Sequence, residues 1–147
     1  MIPTWVRDVV ALLARIGVGV VFVAHGWRKL AVDGIADTAA AFGENGVPLP
    51  TLSAWLVALV ELFAGIALII GLAVPVAGVL LAALMLGAYV FVHAGQGIFV
   101  SEGGAELVVA LGAACLLLAI TGGGRFSLDH VLAPLAETRL RHREPAG

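Results

Sequence analysis

The stretch RIGVGVVFVAHGWRKL, Arg15 to Leu30, decides how the rest of the chain is read. Nine apolar or glycine residues separate Arg15 from His25, and the apolar run begins well before Arg15, at Trp5. The whole segment, about Trp5 to Lys29, is long enough to cross bilayer hydrocarbon as a helix, which takes about 17–25 residues. A helix satisfies its own backbone there, whereas a lone extended segment does not. A permanent cation inside such a segment is costly and usually faces the interior of a helix bundle. Arg15 therefore asks for a partner elsewhere in the sequence.

Composition agrees with a membrane protein. Of the 147 residues, 61% are hydrophobic and 12% charged, with a mean hydropathy of +1.09, whereas soluble domains run at about 25% charged. Three further apolar segments follow: about Leu52 to Leu72, broken only by Glu61; about Val74 to His93; and about Gly104 to Thr121, with Glu106 near its start. The expected fold class is an all-α integral membrane protein, a four-transmembrane-helix antiparallel bundle over residues 1–130. Residues 31–51 read as a polar loop and 131–147 as a charged tail.

Arg15 interrupts the apolar run and no small-residue cleavage site follows it, so the first segment reads as a retained span rather than a signal peptide. Four spans place both ends of the chain on one side. Arg7, Arg125, Arg139, Arg141 and Arg143 flank those ends, and the positive-inside rule assigns them to the cytoplasm. Seven of the eight basic residues are arginine, and Ala, Gly and Val are abundant, as in a GC-rich bacterial genome. The expected location is a bacterial inner (plasma) membrane, multi-pass, with N- and C-termini cytoplasmic. The net charge of −2 says little about partners, and no basic block is large enough to suggest nucleic acid, so no nucleic-acid partner is expected. Cys115 is the only cysteine, which excludes an intrachain disulfide or a CxxC redox pair.

At 100° per residue, Arg15, Gly19, Phe22, Gly26 and Lys29 share one helix face, with His25 on its shoulder. Ala54, Ala58, Glu61 and Gly65 form a small-residue stripe carrying one carboxylate in the second span, and Gly78 and Ala82 have the same spacing in the third. Such stripes let helix backbones approach. Counting from the span ends puts Arg15 and Glu61 near the same depth, so they are expected to pair in the bundle interior. A buried pair of this kind also serves simply to fix helix register. His25, His93 and Glu106 fall further out and are expected to line one outward-opening cavity above that pair, while Tyr89 reads first as an interface-belt residue. Cys115 lies nine residues from Glu106, on the opposite face, and reads as a small apolar packing residue. The spacings H-x3-H and E-x-x-H are absent, which argues against a metal set among His25, His93, Glu102 and Glu106.

With these residues laid out, the chain resembles the DoxX (DoxX/DoxD-like) family of membrane proteins. The resemblance covers nearly all of residues 9–130 and rests on ARIGVGVVFVAHGWRKL, ELFAGIALIIGLAVPVAG, Glu106 and the closing GGGRFSLDH. The matching positions are Arg15, His25, Gly26, Lys29, Glu61, Gly65, Glu106, Arg125, Ser127 and Asp129. The resemblance implies a four-helix bundle associated with redox systems. Family members resemble the small subunit of a thiosulfate:quinone oxidoreductase, and relatives accompany thiol and oxidative-stress proteins. The lone cysteine gives thiol chemistry within this chain no support.

The leading expectation is a membrane subunit of an oxidoreductase complex that meets quinone, with Arg15, His25, Glu61 and Glu106 as catalytic candidates and Lys29, His93 and Tyr89 as cofactor-binding candidates. In that reading Arg15 stabilises developing negative charge, His25 and Glu106 relay protons, and Glu61 holds Arg15. No flavin, haem or iron–sulfur motif is visible, so no covalent cofactor is expected and electrons come from a soluble redox partner or a small reductant. Two alternatives are a small transporter, which with so few spans requires a homo-oligomer, and a non-enzymatic anchor or assembly factor.

Overall fold

The computed structural model describes residues 3–133. Helix α1 runs from Thr4 to Trp27 and continues through a wider π turn, Arg28–Val32, closed by the Asp33 N–H donating to the Arg28 carbonyl at 2.9 Å. Next come α2 (Ile35–Glu44), α3 (Pro50–Ile70) and α4 (Val74–Ala88). A second π turn, Tyr89–His93, extends α4; a short 3-10 turn, Val100–Glu102, precedes α5 (Glu106–Thr121). Residues 128–133 are helical again. No strand occurs among the described residues.

The four long helices form an antiparallel bundle of two tight pairs, α1 with α3 and α4 with α5, joined through α3 and α4. The segments Thr4–Val32, Pro50–Ile70 and Val74–His93 are each long and apolar enough to cross a membrane; α5 is apolar but shorter. These bounds lie close to those expected from sequence, except in residues 31–51. That stretch is not a loop: α2 forms there and packs on α3. Its Thr38 and Ala39 are buried, and the apolar spacing of Ile35, Ala39 and Phe42 gives it one face to hide.

The bundle is inside out relative to a soluble one. Its core holds small residues, Ala54, Ala58 and Ala64, with Phe22, Leu68 and Leu81, while Trp5, Phe63, Leu86, Leu117 and Ile120 face outward. Apolar side chains covering most of the outer surface mark a lipid-facing protein. Arg15, Gly19, Phe22 and Gly26 are the buried residues of α1, which is the face expected from sequence.

The small residues set the α1–α3 register. A methyl group placed on Gly19 would meet the Gly65 carbonyl oxygen at 2.7 Å, and one on Gly65 would meet the Gly19 carbonyl oxygen at 3.0 Å. Near the other end of the same contact, Gly26 sits against Ala58 and Leu62. This register brings Glu61 to the level of His25 and Gly26. Arg15 lies level with Gly71, ten residues or about 15 Å of helix rise from Glu61.

Candidate polar sites at the two ends of the bundle

The expected Arg15–Glu61 pair does not form. Counting depth from guessed span ends missed that α1 extends through its π turn to Val32 and slides past α3. The two groups belong to separate assemblies at opposite ends of the bundle.

Arg15 is completely buried and organises the closing segment. Its Nη2 donates to the Phe126 carbonyl at 2.8 Å, and among the described residues Nε and Nη1 have no hydrogen-bond partner. Gly71, at φ 74°, ends α3, and a side chain there would collide with Arg15 and Ser127. The Leu72 and Gly71 N–H groups turn back to the Ala67 and Leu68 carbonyls, the usual glycine-terminated helix end. A cation beside that end meets the negative pole of the α3 dipole. Asp129 completes the assembly. Its carboxylate accepts from the Ala73 N–H (2.7 Å) and the Val74 N–H (3.1 Å), capping α4, while its own N–H donates to the Gly71 carbonyl at 3.0 Å. Ser127 Oγ donates to the Gly124 carbonyl and accepts from the His130 N–H. The Arg125 N–H donates to Asp8 Oδ1 on α1. The GGGRFSLDH segment is thus a clasp that ties α1 to the α3–α4 turn. The roles of Asp129, Ser127 and Asp8 were not legible from spacing; a carboxylate distant in sequence from the helix it caps leaves no local signature.

The other end carries the ion pair. Lys29 Nζ donates to Glu61 Oε2 at 2.7 Å; the Glu61 side chain is 6% exposed and that of Lys29 19%. Lys29 stands in the π turn, whose extra residue rotates it off the regular helical path. Glu61, His25 and His93 line one cavity of about 230 Å³ together with Phe22, Met85 and Leu111. It lies between α1 and α5, with residues Val100 and Gly104 at its outer end. On the far side of His25 and Lys29 is a second, polar cleft of about 390 Å³, shared with Arg28, Asp33, Asp37 and Thr38. His25 lines both.

Each histidine has one ring nitrogen engaged. His25 Nδ1 lies 2.9 Å from the Val21 carbonyl, and His93 Nδ1 lies 2.6 Å from the Gly103 carbonyl. A carbonyl only accepts, so Nδ1 is the donor nitrogen in both rings.

Besides Arg15, two expected site residues lie elsewhere. Glu106 is exposed and does not line the cavity; its Oε1 accepts from the Val100 N–H at 2.8 Å and fastens the 3-10 turn over the cavity's outer end. As the first residue of α5, it bonds back to Val100, six residues earlier. Tyr89 lines a separate apolar groove between α4 and α5 with Met85 and Gly112. Cys115 is fully buried against α4. Among the described residues no three His, Cys, Asp or Glu side chains converge as a metal set.

The DoxX family model matches residues 10–94, which carry Arg15, His25, Lys29, Glu61 and His93. The chain belongs to the DoxX family. It is 33% identical over 122 residues to "Putative oxidoreductase CatD" of Bacillus subtilis (strain 168), covering 83% of this chain and 86% of that protein. It is 32% identical over 128 residues to "Inner membrane protein YphA" of Escherichia coli (strain K12), covering 84% of this chain and 90% of that protein. No solved structure matches it. As a DoxX-family membrane protein, the chain presents its apolar helix faces to a lipid bilayer.

Proposed function

We propose that this DoxX-family protein is the membrane subunit of an oxidoreductase and that its cavity at His25, Glu61 and His93 takes the head group of a quinone. The observation that carries this reading is the cavity itself: two histidines and a carboxylate from three separate helical segments line an otherwise apolar space between α1 and α5. Val21, Leu107 and Leu111 are part of its lining, side chains suited to a ligand drawn from lipid. At about 230 Å³ it is smaller than the roughly 300–1,000 Å³ of most cofactor pockets. That suits one substituted ring and leaves no room for a flavin or dinucleotide.

A quinone would supply a two-electron, two-proton couple. Among the described residues His25 and His93 are engaged through Nδ1, and in this reading Nε2 serves the protons. His25 also borders the polar cleft, which gives those protons a route to water. Lys29 neutralises Glu61, so the cavity keeps a polar floor without a bare charge. Electrons pass to or from a redox partner, in keeping with the relative named as an oxidoreductase. The relative named as an inner membrane protein, together with Arg7 and Arg125 at one end of the bundle, supports a bacterial inner-membrane location with both termini cytoplasmic.

Mass spectrometry of the gently extracted protein tests the reading. Quinone is expected to accompany the native chain and to be lost from His25→Ala, whereas a protein that never retains quinone, or retains it equally after that change, refutes it.

A further inference from the structure

The seam between α1 and α5 holds a second groove at the opposite end of the bundle, about 500 Å³ in volume and lined mainly by apolar side chains of the two helices. Ala11 and Ala14 form one wall and Leu117 the other; Arg7 and Arg125 stand at its polar end. Both arginines are exposed, and among the described residues neither side chain has an acidic partner. Asp8, the one carboxylate on the lining, accepts from the backbone N–H of Arg125. The groove therefore combines a long apolar trough with a net positive mouth.

We propose that this groove is a binding site for one anionic phospholipid, with an acyl chain along Ala11, Ala14 and Leu117 and the phosphate against Arg7 and Arg125. The charge arrangement selects the occupant. Either kind of phosphate accepts hydrogen bonds from both guanidinium forks, but a zwitterionic lipid also brings a cation that two arginines repel, whereas an acidic head group does not. Small side chains at Ala11 and Ala14 leave the depth that a chain needs. The lipid would fill the open side of the α1–α5 seam, where the clasp carrying Arg125 meets α1 at Asp8. It would thereby support the same closure that Arg15 holds from inside.

The test places a photo-crosslinking diazirine side chain at Ala14 of the full-length protein, in nanodiscs of equal phosphatidylglycerol and phosphatidylcholine. Adducts of phosphatidylglycerol should dominate. The preference should fall about fivefold for each arginine in Arg7→Gln and Arg125→Gln, the ratio that ~1 kcal/mol per basic residue implies. It should return with lysine at both positions and be unaffected by Arg28→Gln, at the other end of the bundle. Millimolar inorganic phosphate should not displace the lipid, because the chain as well as the head group holds it. Equal labelling of the two lipids, displacement by phosphate, or adducts to a second copy or to residues 134–147 would each overturn the proposal.

Discussion

Lys29 and Glu61 are the residues whose pairing most changes the account of this site. Taking one partner from a buried pair strands the other charge, at a cost of about 3–5 kcal/mol. Glu61→Ala and Lys29→Ala should each be severely destabilising, with the double change much less than their sum. Arg15→Ala and Glu61→Ala should instead add independently, because the two groups lie at different ends of the bundle. Unfolding in detergent–denaturant mixtures gives both cycles, and coupling of Glu61 to Arg15 rather than to Lys29 would contradict the structure. Glu106 makes a second residue-scale case. Glu106→Gln keeps a carbonyl oxygen for the Val100 N–H and should alter stability and ligand retention little. Glu106→Ala should release the turn, seen as faster hydrogen exchange at the Val100 amide.

At the scale of elements, the α3–α4 turn and the α1–α3 contact define the frame. Asp129→Ala removes two charge-assisted bonds from the start of α4 and should cost roughly 1–2 kcal/mol. Gly71→Ala should cost more, since it combines a left-handed backbone with a collision against buried Arg15; a melting shift no larger than that of Asp129→Ala would sink this reading. Much of the frame was legible in the sequence. Four apolar runs gave four helices, and the stripe of Arg15, Gly19, Phe22 and Gly26 correctly named the buried face of α1. What failed was longitudinal register. Periodicity fixes which way a side chain faces but not how far one helix slides along another. The π turns, which change the length and twist of α1 and α4, occur in ordinary sequence, RKLAV and YVFVH, with no residue to announce them. The small residues did contain the register: matching Gly19 and Gly26 against Gly65 and Ala58 moves Glu61 away from Arg15 and toward Lys29.

For the whole molecule, the two ends have different work. The Arg15 clasp closes one end by structure alone, while the cavity of His25, Glu61 and His93 at the other end is the proposed quinone site, on the other side of His25 from the second cleft. In the proposed orientation, with the termini cytoplasmic, the α2 side of the bundle faces outward. A cysteine at exposed Asp37, introduced into Cys115→Ala, should react with an impermeant reagent in intact cells; reaction only after the membrane is opened would reverse the orientation. The central claim is that the outer cavity in the α1–α5 seam receives a quinone ring from the bilayer. Photolabelling of the membrane-embedded protein with a short-chain azidoquinone tests it most directly. Label is predicted on Val21, Leu107 or Leu111, competed by unmodified quinone and lost in His25→Ala. Label confined to the α4–α5 groove at Tyr89, or spread over the outer faces without competition, would contradict it.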